Sequence, residues 1–437
     1  MRYQSPKGTR DFFPDDMALR RWIMSKWDHV SQRNGFVEYD GPIFEDLDLY
    51  RVKSGDEIVD QLFHFTDRGG REMAIRPEMT PTLARMVAAR VNSLPKPIKW
   101  YSQPRLCRAE RPQRGRLREF FQWNIDIIGE QSELADAECI FVLVDFYREL
   151  GLTPEQVEIK LNSREIVASL LQAANVPEAK QPAVYAALDK RDKLSPEAFE
   201  EVLAKIELET EQKEILKRFG ESSGPEGLAA IKSFLTEAKV ATTGCDSVRR
   251  VLELLNAFDA GAYCRFDMGV VRGLAYYTGV VFEAFGKGGL RRAVGGGGRY
   301  DQLIENMGGP SVGAVGFATS DVVIADLLGE FDRMPVASDA IDYFVIDADP
   351  SVFDVVLKIT AKLREQGLAT SFSYPRQGVG KQFKQAASRN AARVVIVEAD
   401  FNTSNTVSVK DMATSNQTTI ALDAFLNDPN GATGSDG

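Results

Sequence analysis

The chain has 437 residues, length enough for two or three domains with cores of their own. A formal net charge of −10 argues against wholesale, charge-driven binding to nucleic acid or membrane, while leaving room for a local basic site. Four scattered cysteines without a CxxC pair, and two histidines, His29 and His64, exclude a zinc ribbon, a disulfide framework and a multi-histidine metal centre.

No apolar run reaches the roughly 20 residues of a membrane span, and "MRYQSPKGTRDFFPDD" lacks the apolar core of a signal peptide. A soluble, cytoplasmic protein with no membrane partner is expected. Asp15 and Asp16 can cap a helix in which Leu19, Trp22, Ile23, Trp27 and Val30 recur at helical spacing, ending at Gly35. "GFVEYDGPIFE" reads as a strand broken at Gly41-Pro42, and "LFHFTDRGGREMAIRPE" as a hairpin turning at Asp67 to Gly70. Pro81 to Val91 is predicted helical. "IKWYSQPRLCRAE" and "REFFQWNIDIIG" read as strands on either side of "RPQRGRL", and Glu133 to Leu150 as a helix closed by Gly151. From Arg164 to Asn256 the pattern is helical with no strand run, which marks an insertion. Strand-like text returns at "YCRFDMGVVRGLAYYTGVVFEAF", followed by the glycine run of "VGGGGRYDQLI". Past the linker-like "FDRMPVASD", segments from "DYFVIDA" to "TVSVKDM" alternate strand and helix, the pattern of a small α/β domain. The tail "NDPNGATGSDG" has the composition of disorder.

Six arginines fall between Arg105 and Arg118 of this acidic chain. One reading is a solvated loop whose arginines pair with Glu110 and Glu119. The other is a local polyanion site, because guanidinium matches phosphate bidentately. Side chains two apart on a strand share a face, so Arg108 with Glu110, and Gln122 with Asn124 and Asp126, converge on one face of a sheet. Phe120 and Phe121 lie beside the loop, where one of them can stack on a base.

"RAERPQRGRLREFFQ" resembles motif 2 of class II aminoacyl-tRNA synthetases, in the form R-x-E-R-P-Q-x-G-R-x-R-E-F of the histidyl-tRNA synthetase family. Other stretches follow in that family's order. "GFVEYDGPIFE" resembles motif 1, "RPEMT" at Arg76 to Thr80 resembles the RPE-x-T segment, and "VRGLAYYTGVVFE" the R-G-L-x-Y-Y motif. "GGGRYD" resembles the next element, and "GKQFKQA" with "TVSVKDM" the C-terminal anticodon-binding domain. The resemblance implies an α+β protein: a class II synthetase antiparallel β-sheet catalytic domain with helices, a helical insertion and a C-terminal α/β anticodon-binding domain. The corresponding boundaries are 1–163 and 259–330 for the catalytic domain, 164–258 for the insertion, 331–339 for a linker, 340–426 for the last domain and 427–437 for a disordered tail. It also implies a homodimer built on motif 1.

The implied reaction joins the carboxylate of L-histidine to the α-phosphate of ATP, releasing pyrophosphate, and passes the histidyl group to the 3′ end of tRNA(His). It needs placement and positive charge rather than a nucleophilic side chain. ATP would enter with Mg2+, and no protein-held metal is expected. By resemblance Arg108 and Arg272 are the catalytic cations at the α-phosphate and the histidine carboxylate. Glu110 would meet the adenine amino group, Phe120 the ring, and Arg116 the outer phosphates. Glu78, Thr80 and Gln122 correspond to the ammonium-binding set. Asp126, with Tyr276 or Tyr277, would face the imidazole. Gln113 and Arg114 at the loop tip would meet the tRNA acceptor end. Lys381, Lys384 and Lys410 are either solvated or face the anticodon arm.

The pattern breaks at motif 3. The family form G-F-A-x-G-x-E-R becomes "GFATSDVV" from Gly316, with Ser320 for glycine and Val322-Val323 for Glu-Arg; Ala275 also replaces a common acidic residue. Either other arginines, such as Arg116 or Arg299, replace the missing one, or activation is impaired. The latter defines an alternative: a non-catalytic histidyl-tRNA synthetase-like regulatory subunit of ATP phosphoribosyltransferase. Such paralogues usually lack the anticodon-binding domain.

Overall fold

The computed structural model describes residues 3–54, 59, 61–113, 115–191, 194, 196–271, 277–289, 292–335, 340–375 and 377–431. They form two compact units, one drawn from 1–11 and 20–335, the other from 12–19 and 336–437.

In the first unit the strands are β1 (Val37–Glu38), β2 (Phe44–Asp46), β3 (His64–Thr66), β4 (Glu72–Ile75), β5 (Ile98–Ser102), β6 (Arg105–Cys107), β7 (Glu119–Ile128), β8 (Val157–Ser163), β9 (Cys264–Phe266), β10 (Val280–Gly286), β11 (Ala293–Arg299) and β12 (Ala314–Ser320). Helix α1 (Pro14–Arg33), of which residues 20–33 belong to this unit, precedes them; α2 (Leu47–Ser54), α3 (Thr80–Ala88) and α4 (Glu133–Glu149) lie among them. The insertion carries α5 (Arg164–Ala173), α6 (Gln181–Lys190), α7 (Pro196–Ala204), α8 (Thr210–Gly220), α9 (Gly224–Glu237) and α10 (Thr243–Ala257). Two further helices follow, α11 (Leu303–Asn306) and α12 (Asp321–Glu330).

The main sheet runs β1-β5-β7-β12-β11-β10-β8-β9, with β6 also paired to β7. Its interior is antiparallel, as expected, but both edge pairs, β1-β5 and β8-β9, are parallel. The Gly41-Pro42 break sends the motif 1 segment into two sheets: β1 joins the main one, and β2 pairs with β4 in a three-stranded sheet with β3. Proline at 104, unable to donate to the ladder, divides "IKWYSQPRLC" into β5 and β6, and both pair with β7.

Strand β7 organises the unit. Its apolar residues Phe121, Trp123, Ile125 and Ile127 share one face, on which α1 and α4 pack. Trp123 stacks on Trp27 at 6.3 Å, meets Phe146 edge-on at 5.1 Å, and donates its indole N–H to Ser31 Oγ (2.9 Å). The other face carries Phe120, Gln122, Asn124 and Asp126. Beyond it, the core joins α3, α11 and the buried Tyr39, Val270, Tyr277 and Tyr300.

The glycine run is strand β11, despite the poor β-propensity of glycine. A side chain at Gly297 would collide with the carbonyl of Gly316 on the neighbouring strand. Close strand approach, not a loop, is what the glycines serve there. Strand β8 is a second departure from expectation. "VEIKLNS" places Glu158 and Lys160 on the cleft side and apolar residues in the core, and the strand lies just before the helical insertion.

The second unit contains β13 (Tyr343–Asp347), α13 (Phe353–Glu365), β14 (Thr370–Phe372), α14 (Val379–Ser388), β15 (Arg393–Val397), α15 (Phe401–Ser404), β16 (Thr406–Asp411), β17 (Gln417–Ala421) and α16 (Leu422–Asn427). The sheet order is β14-β13-β15-β16-β17, parallel across the first three strands and antiparallel across the last three. The start of the supposedly disordered tail is held: Pro429 is buried and its carbonyl accepts from Tyr343 Oη (2.8 Å). Residues 432–437 lie outside the described residues.

Candidate active site

A cleft of about 1120 Å³ opens on the polar face of the main sheet. Arg108, Gln113, Arg116, Phe120 and Gln122 line it from β7 and the arginine loop. Glu158 and Lys160 enter from β8, Glu283 from β10, and Ala318 to Ser320 from β12. Five of the residues expected at the site are thus brought together by one strand and its preceding loop.

The loop arginines divide between the two readings made of them. Arg105 pairs with Glu119 (2.9 Å) and Arg116 with Glu110 (2.9 Å), as the solvated-loop reading has it. Yet Arg116 also lines the cleft, and so does Arg108. The Arg108 guanidinium lies 5.0 Å from the Phe120 ring centroid, and its Nε donates to the Pro77 carbonyl (3.0 Å). That bond, with the one from the Cys107 amide to Arg76 O (3.0 Å), ties the "RPEMT" segment, with the half-buried Glu78 and Thr80, to the end of β6. Glu78 and Thr80 do not line the cleft, and neither does Glu110. Phe121 faces away from it, beneath Arg20 and Arg105, so of these two phenylalanines it is Phe120 that lines the cleft.

The N-terminal segment braces the loop. Gly8 O accepts from the Arg118 amide (2.8 Å), and Arg10 pairs with Asp321 (2.6 Å) at the start of α12. Asp321 also accepts from the Phe121 amide (2.9 Å), fixing α12 to β7.

Asp126 is buried beyond the inner end of the cleft rather than in its wall. Its carboxylate accepts a hydrogen bond from Tyr300 Oη. The buried Tyr39 phenol is pushed well above its ordinary range, first by burial and then by the Asp126 charge. Tyr277 packs in the core beside Tyr300. Tyr300, a tyrosine bonded to Asp126, comes from outside the R-G-L-x-Y-Y segment; its signal was "GGGRYD", two residues after the third glycine. Arg114, Arg272 and Tyr276 lie outside the described residues.

Arg299 does not replace the missing motif 3 arginine. It is 7% exposed and turned away from the cleft. Its Nε donates to both Asp136 oxygens (3.1 Å each), and its terminal nitrogens reach Glu130 O (3.2 Å), Ser132 O (3.0 Å) and Asp301 (3.3 Å). Sequence reasoning also missed Arg292, which lines the cleft at the start of β11. His29 and His64 are exposed and line no part of it. In the second unit Lys381 and Lys384 are exposed, and Lys410 Nζ sits 5.4 Å from the Phe383 ring.

A nine-stranded, mainly antiparallel sheet that carries "RAERPQRGRLREF" over its polar face is the catalytic fold of class II aminoacyl-tRNA synthetases. Comparison with known proteins narrows the class. Residues 8–321 match the family model described as histidyl-tRNA synthetase, and residues 338–428 the anticodon binding domain. The chain belongs to the histidyl-tRNA synthetase family. It is 38% identical to a histidine–tRNA ligase of Opitutus terrae, over 96% of both chains. It is also 38% identical to a histidine–tRNA ligase of Haloarcula marismortui, over 98% of this chain and 97% of that one. In fold it resembles the histidyl-tRNA synthetase of Nostoc sp. PCC 7120, with a TM-score of 0.82 and 21% identity over 97% and 98% of the two chains.

Proposed function

We propose that this protein is a histidine–tRNA ligase, activating L-histidine with ATP and transferring the histidyl group to the 3′ end of tRNA(His). The observation that carries the reading is the polar face of β7. One strand and its loop present Arg108, Arg116, Phe120 and Gln122 to a single cleft, with Asp126 buried beyond them.

In this reading Arg108, with Arg272, steadies the charge that develops as the histidine carboxylate meets the α-phosphate. Phe120 meets the adenine ring and Glu110 its amino group, once Glu110 releases Arg116 to the outer phosphates. Glu78, Thr80 and Gln122 hold the ammonium. Asp126, oriented by Tyr300, faces the imidazole, with Tyr277 or Tyr276 beside it. A pocket built to hydrogen-bond both ring nitrogens rejects analogues lacking them, because its own buried groups would be left unpaired. Gln113 and Arg114 meet the tRNA acceptor end.

Magnesium belongs to the nucleotide in this scheme. No group of three or more potential ligands is placed to hold a metal among the described residues. Mg2+ bound to phosphates needs only one or two carboxylates besides water, and Glu158 and Glu283 are the carboxylates lining the cleft.

The protein acts as a homodimer in the cytoplasm. Around the motif 1 segment, Ile43, Phe44 and Phe65 are exposed, with Phe44 and Phe65 edge-to-face at 6.2 Å, an apolar patch suited to a second copy. No helix among the described residues is long and apolar enough to cross a membrane. The match to an anticodon binding domain over 338–428 weighs against the regulatory-subunit alternative.

The test is histidine-dependent ATP–pyrophosphate exchange, with the other amino acids as controls, followed by charging of tRNA(His). Exchange with histidine alone is expected. No exchange from a protein that still binds histidine in calorimetry would favour the regulatory subunit.

A further inference from the structure

The family pattern places an arginine for ATP phosphate at the position of Val323. Here Val322 and Val323 line the cleft with apolar side chains, so the first turn of α12 contributes no cation. A triphosphate needs more than the loop can give, since Arg116 is half-exposed and shared with Glu110.

Of the other cations in the cleft wall, Lys160 is within 2.9 Å of Asp267, Arg265 within 3.1 Å of Glu158, and Lys287 within 3.5 Å of Glu158. These side chains are held by carboxylates on β8 and next to β9. Arg292 lines another part of the cleft wall. It enters the cleft at the start of β11 and donates to the carbonyl of Gly115 in the arginine loop. Gly115 sits at φ +67°, and a side chain there would collide with the Arg292 guanidinium, so the loop glycine leaves room for this contact. The guanidinium also senses two charges. Asp326 attracts it from one turn beyond Val322 on α12, and Arg116 repels it from the loop. Burial is the larger influence on its charge and disfavours it. The group thus stands where the loop, the start of β11 and the first turns of α12 meet, partly stripped of water. An anion bridging Arg116 and Arg292 would screen their repulsion and offset the cost of burial by its opposite charge.

We infer that Arg292 supplies to the outer phosphates of ATP the guanidinium that the chain lacks at Val323. This rests on the ligase reading and assigns the replacement cation within it. Arg292 is the residue just before β11 rather than part of α12, and lines the same cleft as Val322 and Val323. Its bond to Gly115 further couples phosphate binding to the position of the loop that carries Arg116.

The experiment compares the full chain with Arg292→Ala and Arg292→Lys in histidine-dependent ATP–pyrophosphate exchange, with ATP and histidine varied separately. The Ala variant is expected to lose about 100-fold in kcat/KM for ATP, the scale of removing one preorganised donor from a developing charge. Lysine should recover only part of it, since a point charge does not reproduce the fork. The histidine dissociation constant from calorimetry and the melting temperature should stay unchanged, which a merely structural role would not predict. Adding Val323→Arg to Arg292→Ala should restore about tenfold or more, one charged hydrogen bond's worth. An Ala variant within about threefold of the unsubstituted chain overturns the assignment, as does a loss confined to the histidine KM. If the unsubstituted chain shows no exchange, the ligase reading fails first. Calorimetric binding of ATP to the same proteins, which needs no turnover, then decides for Arg292: equal affinities overturn it.

Discussion

Replacing Arg299 by methionine separates a structural arginine from a phosphate-binding one. The side chain is 7% exposed, and Asp136 opposite it is 1% exposed. Removing the guanidinium takes away both Nε contacts to Asp136 and the bonds to Glu130 O, Ser132 O and Asp301. What remains is a carboxylate in the core with its cation gone. Breaking a buried pair in this way costs about 3–5 kcal/mol, far more than the pair itself stabilises relative to apolar packing. For a unit of this size, at about 2 °C per kcal/mol, the melting temperature should fall by roughly 6–10 °C. Adding Asp136→Leu should recover much of the loss, because the double variant leaves no charge stranded. The assay is thermal and urea unfolding of the full chain, alongside the ATP dependence of exchange at a temperature where all variants are folded. A stable Arg299→Met protein with a greatly raised KM for ATP would refute the reasoning and return Arg299 to the cleft.

Tyr300→Phe removes the donor to the Asp126 carboxylate; at about 1.5–3 kcal/mol for a bond to a charged group, the histidine KM should rise roughly 10–150-fold with the ATP KM unmoved, measured by exchange. Gly297→Ala drives a methyl group into the backbone of β12 and should destabilise the protein by about 1–3 kcal/mol or more, visible as a lowered urea midpoint. Glu149 is held below the usual carboxylate range by its hydrogen bonds to Lys26 and then Arg33. A lowered native value means stability that is present above the unfolded-state value and lost as pH falls through the native one. Glu149→Gln should therefore lower the urea midpoint at pH 7, and the difference between the two proteins should shrink as pH falls through the acid range.

Much of this architecture is written in local patterns. Helix α1 is legible because Trp22, Ile23, Trp27 and Val30 repeat at helical spacing, and Gly35 ends it with φ at +77°. Strand β7 is legible because apolar and polar residues alternate, and that alternation alone places Gln122, Asn124 and Asp126 together. What escaped depends on distant partners. A run of four glycines gives no strand signal until Gly316 is known to lie against it. The polar Glu158 and Lys160 disguise β8 because they face a cleft rather than solvent. Arg292 and Arg299 are seven residues apart and equally charged in the sequence. Only the packing of β11 shows that one enters the cleft and the other is buried against Asp136.

Strand β7 builds the hydrophobic core with one set of its residues and the polar, cleft-side face with the other. The two sets interleave with a period of two, so they are free to change in kind but not in number. Substituting Gln122 or Asp126 alters chemistry and leaves Trp123 seated on Trp27. Inserting or deleting a single residue between Phe120 and Trp123, with the start of the strand held in register, would turn the tryptophan toward the cleft and the aspartate toward α1 and α4. Diversification of this site can therefore proceed only by replacement within a fixed reading length, whereas the loop before it and the helical segment after β8 lie outside that constraint and can lengthen or shorten.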